Sequence, residues 1–413
     1  VIVRNTARHD ARVLRCGKTL CSLGYETTVI AVSSAEESAE RLEIDGIPVV
    51  RLTPRAPLAG AARRLRRRRH RGASAPSALA GGPEGGRAGR LARAYRLLRT
   101  LSYYRRGIAA MRVLRPRIVH CNDYNTMWIG VAAKLLLGSA VIYDSHELWA
   151  DRNGRSEPRW WLLACEALFL RVADRNLATS PGHAEEIARR HRVAQPLVVR
   201  NIAEQPAGHG VRDGSPPREP STIVYVGAVT GGRGLEQAIA ALPHAAGVEL
   251  RILGPGRGEY REGLAALAAQ EDVSERVRIE PAVPPQRVVE EIAGAAAGLA
   301  LIQPCCLSYS LSLPNKLFEY IVAGLPVLAS DVPTIAAFVE RTGTGLVVAG
   351  GDPRAIGRAM LAIVKPRCNQ RLRVAVGDAT AGLSWEREAE SLKRAYRAAA
   401  TQAGGGGPEG EPG

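Results

Sequence analysis

The chain has 413 residues, 46% hydrophobic and 23% charged, with a formal net charge of +16. That length suits two hydrophobic cores and is long for one, and the mix is that of a globular protein. No apolar run reaches the roughly 18 to 20 residues of a membrane span, no Cys/His cluster has zinc-ligand spacing, and nothing marks the start for export.

The seven cysteines are scattered and odd in number, which reads as reduced thiols in a cytosolic protein. The chain opens VIVRN without a Met, so its first strand is expected to be slightly truncated or its start misassigned. The charge is uneven. Seven arginines fall between Arg63 and Arg71, and Arg93, Arg96, Arg99, Arg105, Arg106, Arg112 and Arg115 follow among apolar and tyrosine residues. Such a field attracts phosphates of any kind. It fits a solvated surface, an anionic membrane or lipid-linked acceptor, or nucleic acid, but no nucleic-acid module accompanies it.

In chain order, VIVRN precedes a helical stretch DARVLRCGKTLCSLG, then the strands TTVIAVS and GIPVVRL. An Ala/Gly/Arg-rich region with a loop at SAPSALAGGPEGG separates these from the basic helix, the strand RIVHCND, a helix around TMWIGVAAKLLLG, and the strand AVIYDSHE. Residues 159–173 read as a helix, NLATS as a short strand, and SPGHAEEIARRH as a helix capped by Ser180. Short apolar runs between helices predict parallel strands covered on both faces.

After PLVVRNI, residues 204–221 are rich in Pro, Gly and charge and read as a linker. The second half repeats the pattern: TIVYVG, a helix, VELRILG, a helix over 260–270, RVRIEPAV, a helix over 285–297, GLALIQP, the helix LPNKLFEYIVAG, PVLASDV, TIAAFVERTG, TGLVVAG and PRAIGRAMLAIV. The expected division is 1–203, 204–221, 222–380, an amphipathic helix within 381–402, and a disordered tail over 403–413. Two such α/β domains place a crevice at the carboxyl ends of their sheets.

The strongest chemical signal is SLPNKLFEYIVAGLPVLASD. Pro314 and Asn315 fit a helix start that Ser312 is placed to cap, which puts Lys316 in the first turn beside open backbone donors, a good seat for diphosphate. Glu319, on the same side, suits two ribose hydroxyls. An ordinary Lys–Glu surface pair fits the same residues. The second signal is YVGAVTGGRGLEQAI: Gly227 ends a strand, and glycines around Arg233 let phosphate approach the backbone beside a planar donor fork. It is neither GxGxxG nor a P-loop, and a plain surface loop reads the same way. The third is YDSHELW, with Asp144, His146 and Glu147 at a strand end. His146 is suited to donate to a hydroxyl or leaving oxygen; a metal would need His120, Asp123, Asp144 and His146 together. Asp10 and Arg12 suit an acceptor, the brace of a crevice wall, or a local salt bridge.

Together HDARV, YDSHELW, ATS with VVRNI, YVGAVTGGRGLE and LPNKLFEYIVAGLPVLASD resemble the retaining GT-B glycosyltransferases of family 4 (glycosyl transferases group 1), over about nine-tenths of the chain, weakest over 55–91. The resemblance implies two Rossmann-like domains facing across a cleft, acceptor bound chiefly by the first and donor by the second, and a last helix crossing back. It implies donor contacts from Gly227, Arg233, Ser312, Leu313, Pro314, Asn315, Lys316 and Glu319, and catalytic roles for His146, Arg233 and Lys316. Asp10, Arg12, Asp123 and Asp144 fall on the acceptor side. Ala228 stands where relatives carry Arg, Arg233 where they carry Lys, and Leu311 where they carry the first of two glutamates. The expected function is hexosyl transfer from a nucleotide-diphosphate sugar, without metal or other cofactor, to a lipid-linked saccharide or cell-envelope precursor. The expected setting is cytoplasmic, peripheral at an anionic membrane face, with no nucleic-acid partner. A soluble secondary-metabolite acceptor and a non-catalytic sugar-nucleotide-binding relative are the alternatives.

Overall fold

A computed structural model describes residues 1–8, 10–34, 40–54, 87–152, 157–204, 217–402 and 404. The arginine run at 63–71, the loop at 74–86, most of the proposed linker and all of the tail but residue 404 lie outside the described residues.

The opening segment is an extended stretch whose backbone hydrogen-bonds Ile30 and Val32 on one side and His120 and Asn122 on the other. Ile2 makes single bridges to Ile30 and Cys121, between strands β1 (Val29–Val32) and β4 (Ile118–Asn122). Helix α1 (Ala11–Ser22) starts where the Asp10 carboxylate accepts the Val13 amide, 3.1 Å away. Strand β3 (Ile47–Leu52) pairs in parallel with β1 and antiparallel with β2 (Arg41–Ile44), whose alternating exposure marks a sheet edge. Val13, Leu14, Val29, Ala31, Ile47 and Val49 form the core between α1 and this sheet. Then follow α2 (Arg87–Leu114), α3 (Met127–Leu137), β5 (Ala140–Ser145), α4 (Arg159–Val172), β6 (Arg175–Ala178), α5 (Pro181–His191) and β7 (Leu197–Val198). Strands β4, β5, β6 and β7 lie in that order in a four-stranded sheet.

The next sheet has the order β10-β9-β8-β11-β12-β13 and is parallel throughout. Its strands are β8 (Glu219–Val226), β9 (Glu249–Leu253), β10 (Val277–Glu280), β11 (Ala295–Ala300), β12 (Val327–Ser330) and β13 (Gly345–Val348). Helices α6 (Leu235–Ala241), α7 (Gly258–Gln270), α8 (Val288–Ile292), α9 (Leu307–Ser310), α10 (Asn315–Val322), α11 (Pro333–Thr342), α12 (Pro353–Val364), α13 (Pro366–Gly382) and α14 (Trp385–Gln402) connect and follow them. The chain reverses its direction of travel across the sheet between β8 and β11, and a ligand crevice belongs at the carboxyl end of that pair.

One expectation fails here. The helix expected over 285–297 ends at Ile292, and Ala295–Ala300 is a fully buried strand. The alanines favour helix by propensity, but a central strand needs small residues where α10 presses on it. A Cβ on Gly298 would sit 2.2 Å from the Tyr320 ring. That ring carries its hydroxyl to the seam of the sheet, accepting the Val226 amide and donating to the Leu299 carbonyl. On the other side, buried Arg373 of α13 donates to the carbonyls of Ala295 and Gly324, and burial lowers its pKa to about 10.

By packing, the chain divides into two compact units: Val1–Tyr143 with Val172–Arg175 and Tyr396–Gly413, and Asp144–Arg171 with Asn176–Ala395. Among the described residues no helix is long and apolar enough to cross a membrane, and the seven cysteines are free thiols.

Candidate donor site in the second unit

The loop leaving β8 is tied to its neighbours by its backbone. The Gly227 amide donates to Leu253, Val229 to Pro255, and Gln303 to the Gly232 carbonyl. Gly234 ends the loop in the left-handed region, φ 73°, and a Cβ there would lie 2.1 Å from the Leu301 carbonyl oxygen. Only glycine permits both that φ and that approach, so the loops after β8 and β11 close on each other at the crevice.

Two basic side chains converge there. Lys316, the second residue of α10, is 7% exposed. Its Nζ lies 3.5 Å from the centroid of the Tyr225 ring and 3.6 Å from where a Gly227 Cβ would be. The Arg233 guanidinium lies 4.7 Å from the Tyr309 ring centroid. Lys316 Nζ and Arg233 Nε are both buried without a hydrogen-bond acceptor. Burial first, then the charge of Arg233, hold the Lys316 pKa well below that of an ordinary lysine, against a smaller upward pull from Glu319 one turn on. Lys316, Arg233 and Gly227 are thus brought together beside Tyr225, whose hydroxyl is fixed on the Ala228 carbonyl at 2.6 Å, with Glu319 one turn further along α10.

The start of α10 corrects one expectation. Ser312 does not cap it: the Ser312 hydroxyl donates back to the Tyr309 carbonyl at 3.1 Å. Pro314 holds the cap position, and no side chain caps the helix. Proline supplies no side-chain acceptor, so Asn315 and Lys316 begin α10 with a backbone end open to an anion. Leu313 is buried in the core beneath. Leu311 points its backbone elsewhere, accepting the Ser180 hydroxyl at 2.7 Å, and its side chain packs on Gly182.

A second cluster in this unit surrounds His146. Its Nε2 lies 3.5 Å from the carboxylate of Asp144, which is fully buried at the end of β5. Thr179 donates to the His146 carbonyl at 2.9 Å, and the Leu148 amide donates to the Ser308 hydroxyl. His183 Nε2 donates to the Ser308 carbonyl at 2.9 Å, and burial lowers its pKa. Ser180 caps α5 through the His183 amide as its sequence position predicts. Tyr225, Tyr309, His183 and Ser308 escaped the sequence reading. Their only signal is lateral: each becomes informative once a neighbouring element is known.

The remaining candidates belong to the first unit. Asp10 caps α1 and accepts the Asn5 side-chain amide at 2.7 Å. Arg12 is buried in α1. Asp123 sits at φ 64° at the turn after β4, without a side-chain cap. His120 is held by the Tyr396 hydroxyl at 2.9 Å. Among the described residues no group of three or more His, Cys, Asp or Glu is placed to hold a metal ion.

A profile of the glycosyl transferases group 1 matches residues 220–365, and one of the glycosyl transferase 4-like domain matches residues 10–201. A D-inositol 3-phosphate glycosyltransferase from Nocardia farcinica is 36% identical over 159 residues, which are 37% of this chain and 34% of that protein. The chain thus spans about a third of the length of that curated relative. Among solved structures, sucrose-phosphate synthase from Thermosynechococcus elongatus superposes with a TM-score of 0.74 at 18% identity, covering 96% of this chain and 97% of that one. Anabaena HepE, solved with UDP, gives 0.65 at 12% identity, covering 96% of this chain and 98% of that one. With the two profiles in succession along an α/β chain whose parallel sheets are flanked by helices, the protein has the GT-B fold and belongs to the group 1/4 glycosyltransferases.

Proposed function

We propose that the protein is a retaining hexosyltransferase that uses a nucleotide-diphosphate sugar. The observation that carries this reading is that Lys316 Nζ and Arg233 Nε are both buried without an acceptor, beside an uncapped helix start and a glycine loop. Such a site is unsatisfied until an anion enters it. A diphosphate supplies acceptors to both cations and to the helix amides, and Glu319 accepts hydroxyls of the attached ribose. As the anomeric bond breaks, negative charge grows on the departing phosphate, and Arg233, Lys316 and the backbone donors stabilise it in place. His146, oriented by Asp144, donates to a hydroxyl of the transferred sugar. The acceptor hydroxyl attacks from the leaving-group face, and the phosphate oxygen takes its proton. Domains over 1–203 and 222–380, a linker over 204–221 and a crossing last helix over 381–402 suit this division of labour.

For the acceptor, the basic sequence of the first half favours a lipid-linked saccharide or cell-envelope precursor, reached by peripheral association with an anionic membrane face from the cytoplasm. Asp10, Arg12, Asp123 and Asp144 belong to that side. A second reading rests on the names of the curated relatives: a small soluble phosphorylated polyol is the acceptor, and the same basic residues hold its phosphate. The test is turnover of UDP- and GDP-sugars with lipid-linked and inositol-phosphate acceptors, followed by mass spectrometry. Acceptor-dependent release of nucleoside diphosphate supports transfer. Release at the same rate without acceptor, or none with any donor, refutes it.

A further inference from the structure

The donor site holds more positive charge than its empty form can stabilise. Lys316 Nζ is enclosed by the Tyr225 ring, the Gly227 backbone and its own helix, and it has no hydrogen-bond acceptor. The groups that bear on it are few. Arg233, from the glycine loop, repels the ammonium; Glu319, on α10, attracts it; and neither donates or accepts a hydrogen bond with Nζ. The phenols nearby, Tyr225 of β8 and Tyr320 of α10, are buried and neutral, their pKa values pushed upward. A lysine so placed is in conflict with its charge until a counter-anion arrives.

We propose, resting on the reading of this site as the diphosphate site, that Lys316 stands as a neutral amine in the empty protein and takes up one proton from solvent when a diphosphate binds. The balance is simple. The amine lone pair accepts a proton from the buffer acid, a new N–H bond forms, and the ammonium then donates to phosphate oxygens. Arg233 is suited to remain charged throughout, because a guanidinium does not give up its proton in this range. The two basic side chains therefore divide the work: Arg233 attracts the incoming anion, and Lys316 acquires its charge only in the complex. The site keeps full positive charge for the bound state without holding two unpaired charges when empty.

Burial supports the same direction, since it is the larger of the effects that lower this lysine's pKa, with Arg233 second. The consequence is linkage. Between the pKa of Lys316 in the free protein and its higher value in the complex, affinity for diphosphate falls about tenfold per unit rise in pH.

The experiment is titration calorimetry with UDP and with GDP at about pH 8.5, where the phosphates are fully ionised, in two buffers of different ionisation enthalpy. The wild-type protein is expected to take up about one proton per diphosphate bound. Lys316→Arg, which cannot be neutral, is expected to bind the same diphosphate with no proton uptake and with affinity flat between about pH 7 and 9. Binding by the wild type without proton exchange, or uptake that persists in Lys316→Arg, overturns the proposal and leaves the diphosphate site standing. No binding of either diphosphate by the wild type overturns the site assignment itself. Should Lys316→Arg fail to fold, the slope of wild-type affinity against pH decides alone: a flat profile overturns the proposal.

Discussion

Replacing Lys316 by Met should strengthen the empty protein and weaken its hold on ligand. Methionine matches the length of the lysine stem and is apolar, so it keeps the contacts with Tyr225 and Gly227 while removing the buried Nζ that has no acceptor. Leaving such a group unsatisfied costs about 1–3 kcal/mol, and more when it is charged. A neutral amine regains only a small part of that from the aromatic face, which attracts cations. Lys316→Met is therefore expected to gain about 1–2 kcal/mol of stability near neutral pH. On the ligand side, a charge-assisted bond to phosphate contributes about 1.5–3 kcal/mol, so diphosphate affinity should fall by about 10- to 150-fold. Urea unfolding followed by tryptophan fluorescence measures the first quantity and calorimetry the second. A lysine buried for structural reasons gives the opposite pattern: the Met variant would be destabilised by a kcal/mol or more with ligand affinity unchanged, and that result would refute the reasoning.

Three further expectations follow from the same geometry. Glu319→Gln should weaken UDP or GDP by about 5- to 30-fold while leaving inorganic pyrophosphate unaffected in competition assays, because the lost carboxylate served the ribose; equal effects on both would mean that it acts only on Lys316. His183 has its pKa lowered from 6.5 by burial, so the unfolded chain binds the proton more tightly. Its contribution to stability is complete above about pH 6.5 and is lost as pH falls toward the lower folded value, with a slope of at most ~1.4 kcal/mol per pH unit; His183→Asn should flatten that slope in unfolding curves taken between pH ~5 and ~8. Gly234→Ala forces a Cβ to within 2.1 Å of the Leu301 carbonyl at φ 73° and should cost about 3 kcal/mol or more, with the loss of diphosphate binding. An Ala variant that melts and binds like the wild type would count against the described loop.

Much of the second sheet could be read from the chain because its signals are local. Apolar runs such as TIVYVG and VELRILG fall on β8 and β9, and the Pro314–Asn315 pair marks the true start of α10. Ser180 announces α5 for the same reason: a cap satisfies an amide three residues away. Where a residue's role was set by a distant neighbour, the reading failed. Ala295–Ala297 looks helical until Tyr320 is known to need the space over the adjoining Gly298. Ser312 looks like a cap until the turn after α9 brings the Tyr309 carbonyl to its hydroxyl. At the candidate site, the charged members were visible as Lys316, Glu319 and Arg233, whereas the aromatic faces that hold two of them were not.

Those faces explain how the site stays receptive. Burial alone does not distinguish Lys316 and Arg233, since several arginines of the second unit are at least partly buried. Arg251 is clasped by Glu280 and Glu291, Arg200 by Glu388, and Arg373 by two carbonyls and the Asn369 side chain. Each of those is neutralised or saturated by its partners, and each stiffens the fold. Lys316 and Arg233 lie instead against Tyr225 and Tyr309. An aromatic face attracts a cation without cancelling its charge or using up its hydrogen bonds. It therefore holds Arg233 in position with its charge open to an anion, while the Tyr225 face seats Lys316 with an Nζ that has no acceptor and can take up a proton when the anion arrives. Ala228 serves the same arrangement through its backbone, since its carbonyl anchors the Tyr225 hydroxyl.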